Sequence, residues 1–339
     1  MKINLRKRKN QSKPDNSYGS GTFDRLMPPE TSEIPRSEPR DISLVFFGSG
    51  PVAAKSLELL AQNFSVEAVV TKPKPAHHHG AFPILDLAES LKLSVHTVSN
   101  KAQLSELIGS RPFHSRLGVL IDFGIIVNQD VIDYFPLGIV NSHFSILPQW
   151  RGADPITFSI LSGQDKTGVS LMLIDADMDT GKIITQKSLS ISSDATTKTL
   201  TAELINLSRD LLVEYLPKYI DGSVQARNQP HPDRATYSRK LTKQDGIIDW
   251  TKAAPRLERE IRAFLEWPKS TTAIGGKEVI LTKVSVVNVT GKPGLVEIKD
   301  KNLIIYAGQQ ALSIEKLKPA GKKEMTAEAF LAGYGYLLK

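Results

Sequence analysis

Asn141, Ser142 and His143 stand at the end of the apolar run Leu137-Gly138-Ile139-Val140. On an extended strand alternate side chains leave the same face, so the Asn141 amide and the His143 imidazole are expected to project together. Phe144-Ser145-Ile146-Leu147-Pro148-Gln149-Trp150-Arg151-Gly152 follows at once, and Asp179-Thr180-Gly181 arrives 36 residues past the histidine. A neutral amide, an imidazole and a carboxylate are the groups needed to hold a carbonyl oxygen and to move protons. These residue types point to acyl transfer without a covalent nucleophile.

The surrounding pattern supplies a scaffold. Ile42–Phe47 reads as a strand, Gly48-Ser49-Gly50 as a turn and Ala53–Leu60 as a helix. Strands follow at Val66–Val70, Leu117–Ile121, Gly138–Val140, Thr167–Leu173 and Ile183–Leu189, with helices at Ile84–Leu93, Val127–Tyr134 and Thr197–Ile220. Such alternation implies a mainly parallel α/β sheet whose site lies outside the carboxyl ends of its strands. Asn228–Arg234 is polar and Pro-containing and reads as a linker. Beyond it, Ala254–Leu265 is an amphipathic helix. Short β-like runs then follow at Glu278–Val289, Gly294–Ile298, Leu303–Ala307 and Leu312–Leu317, suggesting a small barrel.

The chain has 339 residues, 40% of them apolar and 23% charged, enough for two soluble domains. It contains no cysteine, which removes disulfides, thiolate metal sites and a cysteine nucleophile together. No apolar stretch approaches the ~20 residues of a membrane span, and a cytosolic enzyme fits. The net charge of +7 is uneven: residues 1–40 carry nine Lys/Arg against five Asp/Glu, and residues 239–339 carry eighteen against eleven. Basic ends on an acidic middle suggest a catalytic body drawn to a polyanion. Residues 1–40, with Arg6-Lys7-Arg8-Lys9, read as a disordered solvated tail.

Asn141-x-His143, the Ser145-Ile146-Leu147-Pro148 loop with Arg151-Gly152, and Asp179-x-Gly181 resemble the sites of the folate-dependent formyltransferases. The resemblance spans roughly residues 42–325. Ile248-Asp249-Trp250, Leu257-Glu258-Arg259, Ile261-Arg262-Ala263-Phe264, Trp267-Pro268 and Lys318-Pro319-Ala320-Gly321-Lys322-Lys323 look like the C-terminal domain of the members that act on charged initiator tRNA. It implies a Rossmann-like catalytic domain at 41–225, a linker at 226–236 and an open, oligonucleotide-binding-type barrel at 237–339 that binds tRNA. In those members the methionyl amine of the initiator tRNA attacks the formyl carbon of 10-formyltetrahydrofolate. Asn141 and His143 would donate hydrogen bonds to the oxyanion. Asp179 would orient His143 and, directly or through water, help carry the amine proton to N10 of the folate. Ser145, Ile146, Leu147 and Pro148, with Phe123 and Gly124 of Phe123-Gly124-Ile125-Ile126-Val127-Asn128, correspond to the folate-contacting segments. Lys72, Lys74, Arg151, Arg259, Arg262, Lys322 and Lys323 are the expected tRNA contacts. No metal is implied, and a monomer is expected.

The chain departs from the family at several points. Gln149 stands where many relatives have a basic residue, Asp154 replaces an alanine, and Asn128 replaces a proline. The basic loop after the second strand is shortened to Lys72-Pro73-Lys74-Pro75-Ala76-His77-His78-His79-Gly80-Ala81-Phe82-Pro83. Consecutive histidines on a loop rarely converge on one ion, and no carboxylate or cysteine stands near. Gly48-Ser49-Gly50-Pro51-Val52-Ala53 also fits a dinucleotide fingerprint, but the second strand ends in Thr71-Lys72 rather than an acidic residue, which leaves NADP as a competitor. Formyl transfer to a sugar nucleotide or another small amine, and non-catalytic RNA binding on the same fold, are the alternative functions. Removing residues from about 230 onward is expected to leave a folded body that still binds folate.

Overall fold

Alternating strands and helices build the N-terminal half of the protein, seen in a computed structural model that describes residues 38–75, 80 and 82–338. The Arg6–Lys9 cluster, the rest of the expected extension up to residue 37, and His77–His79 lie outside the described residues. In chain order the elements are β1 (Ser43–Phe47), α1 (Pro51–Leu60), β2 (Ser65–Thr71), α2 (Pro83–Ser90), β3 (Ser94–Thr97), α3 (Lys101–Gly109) and β4 (Gly118–Leu120). They continue with α4 (Gln129–Tyr134), β5 (Ile139–His143), β6 (Arg151–Gly152), α5 (Pro155–Ser162), β7 (Lys166–Leu173), β8 (Ile183–Ser190) and α6 (Thr197–Ile220).

Seven strands form one sheet in the order β3-β2-β1-β4-β5-β7-β8. The first five are parallel, and β7 and β8 are antiparallel additions at one side. Strand β1 shows why both faces are covered. Leu44 and Phe46 join one apolar cluster with Leu57, Leu204 and Leu212, while Val45 and Phe47 join another with Leu104, Val131 and Ile139. The sheet is therefore sandwiched by helices, as a mainly parallel α/β sheet must be. Asn100 caps α3 by accepting from the Ala102 and Gln103 amides, and Thr196 caps α6.

The C-terminal half begins at β9 (Tyr237–Ser238), which pairs with β6, and continues through α7 (Ala254–Ala263). Strands β10 (Ser270–Ile274), β11 (Lys277–Val287), β12 (Val296–Lys299), β13 (Asn302–Tyr306), β14 (Ala311–Pro319) and β15 (Met325–Thr326) precede α8 (Ala327–Tyr334). They form an open antiparallel sheet in the order β10-β11-β14-β13-β12, with β15 beside β14. The register shifts twice between Leu281 and Val284, the kind of bulge that lets a long strand bend. Leu257 and Ile261 of α7 and Phe330 of α8 fill the core against Ile274, Leu281, Leu303 and Ile305.

The two halves share apolar surface. Leu241, Ala263 and Phe264 belong to the same buried cluster as Ile156, Ile160 and Leu161 of α5. Polar bonds reinforce the join: Thr197 Oγ1 donates to the Ala263 carbonyl at 2.8 Å, and Arg262 Nη1 donates to the Ala195 carbonyl at 2.5 Å.

Candidate active site

Strand β5 delivers the two central side chains. Every residue of it is buried, and Leu120 of β4 and Met172 of β7 flank Asn141. Ser142 turns to the opposite face and bonds Ser208 of α6, Oγ to Oγ at 2.6 Å. Asn141 and His143 therefore share the other face, as period-two alternation requires. They are 9% and 6% exposed.

Asp179 reaches them from the turn between β7 and β8. It is held in the left-handed region at φ 53°, which aspartate tolerates better than most residues. Its Oδ2 accepts the Gly152 amide at 2.7 Å. Two glycines make this approach possible. A Cβ on Gly181 would stand 1.7 Å from the Leu173 carbonyl oxygen. One on Gly152, at φ 109°, would stand 2.4 Å from that of Ser238. Asn141 Nδ2 lies 3.5 Å from Asp179 Oδ1, and His143 Nδ1 lies 3.7 Å from Asp179 Oδ2. Both separations are long for direct hydrogen bonds, leaving the Asn141 amide and His143 Nδ1 free to turn to a third group.

The other histidine nitrogen is already engaged. Nε2 lies 2.9 Å from the Trp150 carbonyl oxygen, which can only accept, so Nε2 carries the proton. Nδ1 is then the nitrogen left for a substrate. In the neutral ring it is a base; as a donor to an oxyanion the ring must be cationic, with Asp179 as its counter-charge.

The loop expected to contact folate is held from beneath. Ser170 Oγ donates to the Ser145 carbonyl at 2.6 Å and accepts the Leu147 amide at 3.1 Å; Gln186 Nε2 donates to the Leu147 carbonyl at 2.9 Å. Ser145, Leu147 and Phe123 are buried, and the Phe123 ring packs edge-on against Phe47 at 5.6 Å. Their side chains and these backbone bonds fix the shape of the loops, with Ile146 half-buried against Gly168 of β7 and Ile126 exposed. Ser170 and Gln186 escaped sequence reasoning because they lie 25 and 39 residues from the loop atoms they hold.

Asp122 is a second residue that the motifs did not single out. Its side chain is solvent-accessible yet surrounded by protein on most sides. This desolvation pushes its carboxyl up to about 6, with Lys72 opposing and Asp154 adding to the rise. Burial also raises Asp154. A Cβ on Gly50 would meet Asp122 Oδ2 at 2.4 Å, so a carboxylate already occupies the mouth of the glycine turn. Lys72 Nζ donates to the Gly124 carbonyl at 2.7 Å. A carboxylate at the turn disfavours a pyrophosphate there, and the dinucleotide reading loses its physical support.

The expected tRNA contacts divide into two groups. Arg151 is buried and donates to Gln229, and Arg262 bonds Glu258 and the Ala195 carbonyl. The Arg259 guanidinium lies against Gly163. Lys74, Lys322 and Lys323 are exposed, while Lys72 is half-buried. A cavity of about 520 Å³ in the C-terminal half is rimmed by Lys243, Lys269 and Lys318 around Ile247 and Val279. Among the described residues no group of three His, Cys, Asp or Glu is arranged to hold a metal, and no helix is long and apolar enough to cross a membrane.

Known proteins bear on both halves. Residues 43–216 match the formyl transferase family, and residues 240–335 match the formyl transferase C-terminal domain. A methionyl-tRNA formyltransferase of Roseiflexus sp. (strain RS-1) is 36% identical over 304 residues, covering 86% of this chain and 92% of the relative. One from Desulfotalea psychrophila is 34% identical over 306 residues, covering 88% and 94%. The solved N-formyltransferase of Helicobacter canadensis, in complex with folinic acid and dTDP-3-aminofucose, aligns over 80% of this chain and 99% of its own. Its TM-score is 0.61 at 21% identity, a likeness of fold.

Proposed function

The chain belongs to the formyltransferase family, and from that premise we propose that it transfers the formyl group of 10-formyltetrahydrofolate to the free amino group of methionyl-initiator tRNA. The observation that carries this reading is the likeness to methionyl-tRNA formyltransferases through the C-terminal half as well as the catalytic one. The convergence of Asn141, His143 and Asp179 supports the chemistry.

The amine nitrogen attacks the formyl carbon, forming the new C–N bond. Charge develops on the formyl oxygen, and the Asn141 amide and the His143 ring, through Nδ1, donate hydrogen bonds to it. Asp179, beside the ring, assists loss of the amine proton and its passage to the leaving folate, directly or through water. Breakage of the bond between the formyl carbon and N10 releases the folate amine, which takes up that proton. The Ser145–Pro148 loop and the Phe123–Gly124 segment hold the folate, and the exposed lysines, with Lys322 and Lys323 foremost, meet the tRNA backbone.

Acceptor comparison tests the assignment. With 10-formyltetrahydrofolate in excess, charged methionyl-initiator tRNA should be formylated orders of magnitude faster than an amino-sugar nucleotide. The reverse preference would assign the chain to small-amine transfer instead.

A further inference from the structure

The segment joining the two halves reaches back into the site. Ile183 and Arg227 exchange backbone hydrogen bonds of 2.7 and 2.9 Å, anchoring the segment to the start of β8. Gln229 follows, 8% exposed. Its Nε2 donates to the Asp179 carbonyl at 2.7 Å and the Gly181 carbonyl at 3.0 Å, and its Oε1 accepts from Arg151 Nη2 at 2.7 Å. One buried amide thus ties the turn that carries Asp179 to β6 at Arg151.

Thr236 supports the other reacting group. Its Oγ1 accepts the Trp150 amide at 2.9 Å and its carbonyl accepts the Arg151 amide at 2.9 Å. Trp150 sits at φ 56°, and its carbonyl is the acceptor that fixes His143 Nε2. A tether needs only reach and flexibility. A buried amide with both donors and its acceptor engaged specifies one arrangement of what it touches.

We propose that Gln229 and Thr236 are positioning residues for formyl transfer. They hold Asp179 and the Trp150–His143 pair in register, so one segment sets both the seat of the C-terminal half and the geometry of the reacting groups. The proposal rests on the reading of His143 and Asp179 as those groups.

Full-length variants test it. Gln229→Glu keeps an acceptor for Arg151 but removes the donor to both carbonyls. Thr236→Val removes the hydroxyl at nearly constant shape, and Thr236→Ser restores it. With charged initiator tRNA and 10-formyltetrahydrofolate, Gln229→Glu should lower kcat by roughly tenfold to a hundredfold and Thr236→Val by about three- to tenfold, as expected for small misplacements of reacting groups. Both KM values should stay within about threefold of the parent, and Thr236→Ser should recover most of kcat. In an Asp179→Asn background Gln229→Glu should cost little more, whereas a defect of folding alone would subtract equally in both backgrounds. Nitrogen-15 spectra of labelled histidine should show the Nε2-protonated form of His143 weakened in Thr236→Val. Parental kcat in Gln229→Glu while Asp179→Asn is inactive, fully additive losses, or a loss confined to the KM for tRNA would each overturn the proposal. Parental turnover in Asp179→Asn would remove the site assignment, and the proposal with it.

Discussion

At His143 a single backbone carbonyl decides what the side chain can do. Because the Trp150 oxygen takes the Nε2 proton, only Nδ1 is left for a substrate in the proposed reaction, and a hydrogen bond donated from it requires the ring to carry a second proton beside Asp179. Asp122 shows a different environmental effect, with a measurable consequence. Its folded-state pKa is raised to about 6 from 3.8, so the folded protein holds this proton more tightly than the unfolded chain. The stability it contributes is full below about pH 4, falls as pH rises towards about 6, and stays low above that. Asp122→Asn should therefore flatten the change in urea midpoint between pH 4 and pH 6 and raise the midpoint at pH 7 relative to the parent. An offset that is equal at pH 4 and pH 7 would show that this carboxyl does not titrate as described.

Among the elements, the proposed folate loop depends on strands far from it in sequence. Gln186 of β8 and Ser170 of β7 bond its backbone, so Gln186→Leu should loosen the loop while leaving Asn141, His143 and Asp179 in place. The KM for 10-formyltetrahydrofolate should rise about five- to tenfold, equivalent to roughly 1 kcal/mol of lost hydrogen bonding, with kcat nearly kept. An unchanged KM would mean that the loop holds its shape without β8. Much at this scale was legible in the chain. Strand β5 follows from an apolar run, its facing from alternation, and α6 from a long periodic stretch that the structure reproduces from Thr197 to Ile220. Strand β3 escaped notice because it is short and mostly exposed. Helix α5 escaped because it is buried on nearly all sides and lacks a polar stripe. The supports of the site were the least legible. Gln229 lies 50 residues from the Asp179 carbonyl it holds, and local pattern carries no trace of such a contact.

Across the whole molecule, the catalytic half and the basic half are joined by a core as well as by a tether. A fragment spanning residues 38–228 would lose Phe264 from that core, exposing apolar surface on α5. Burial of one such ring contributes on the order of 2 kcal/mol. The fragment should melt below the full chain and turn over poorly even at saturating tRNA, because Gln229 and Thr236 leave with the deleted half. A fragment with the parental melting midpoint would contradict a shared core. Charge sets a second expectation at this scale. With the surplus of Lys and Arg in residues 239–339, tRNA binding should weaken steeply with salt while folate binding does not. Each phosphate contact adds a slope of up to about −0.9 in a log–log plot. A flat response would remove the polyanion from the account.

Single-turnover transfer of labelled formyl from 10-formyltetrahydrofolate to charged methionyl-initiator tRNA, at saturating substrates, tests the central claim most directly. The parent protein should label the methionyl amine. His143→Ala and Asn141→Ala should each do so about 10²–10³ times more slowly while binding folate and tRNA normally. Transfer by His143→Ala at the parental rate, or no transfer to tRNA by the parent, would contradict the account.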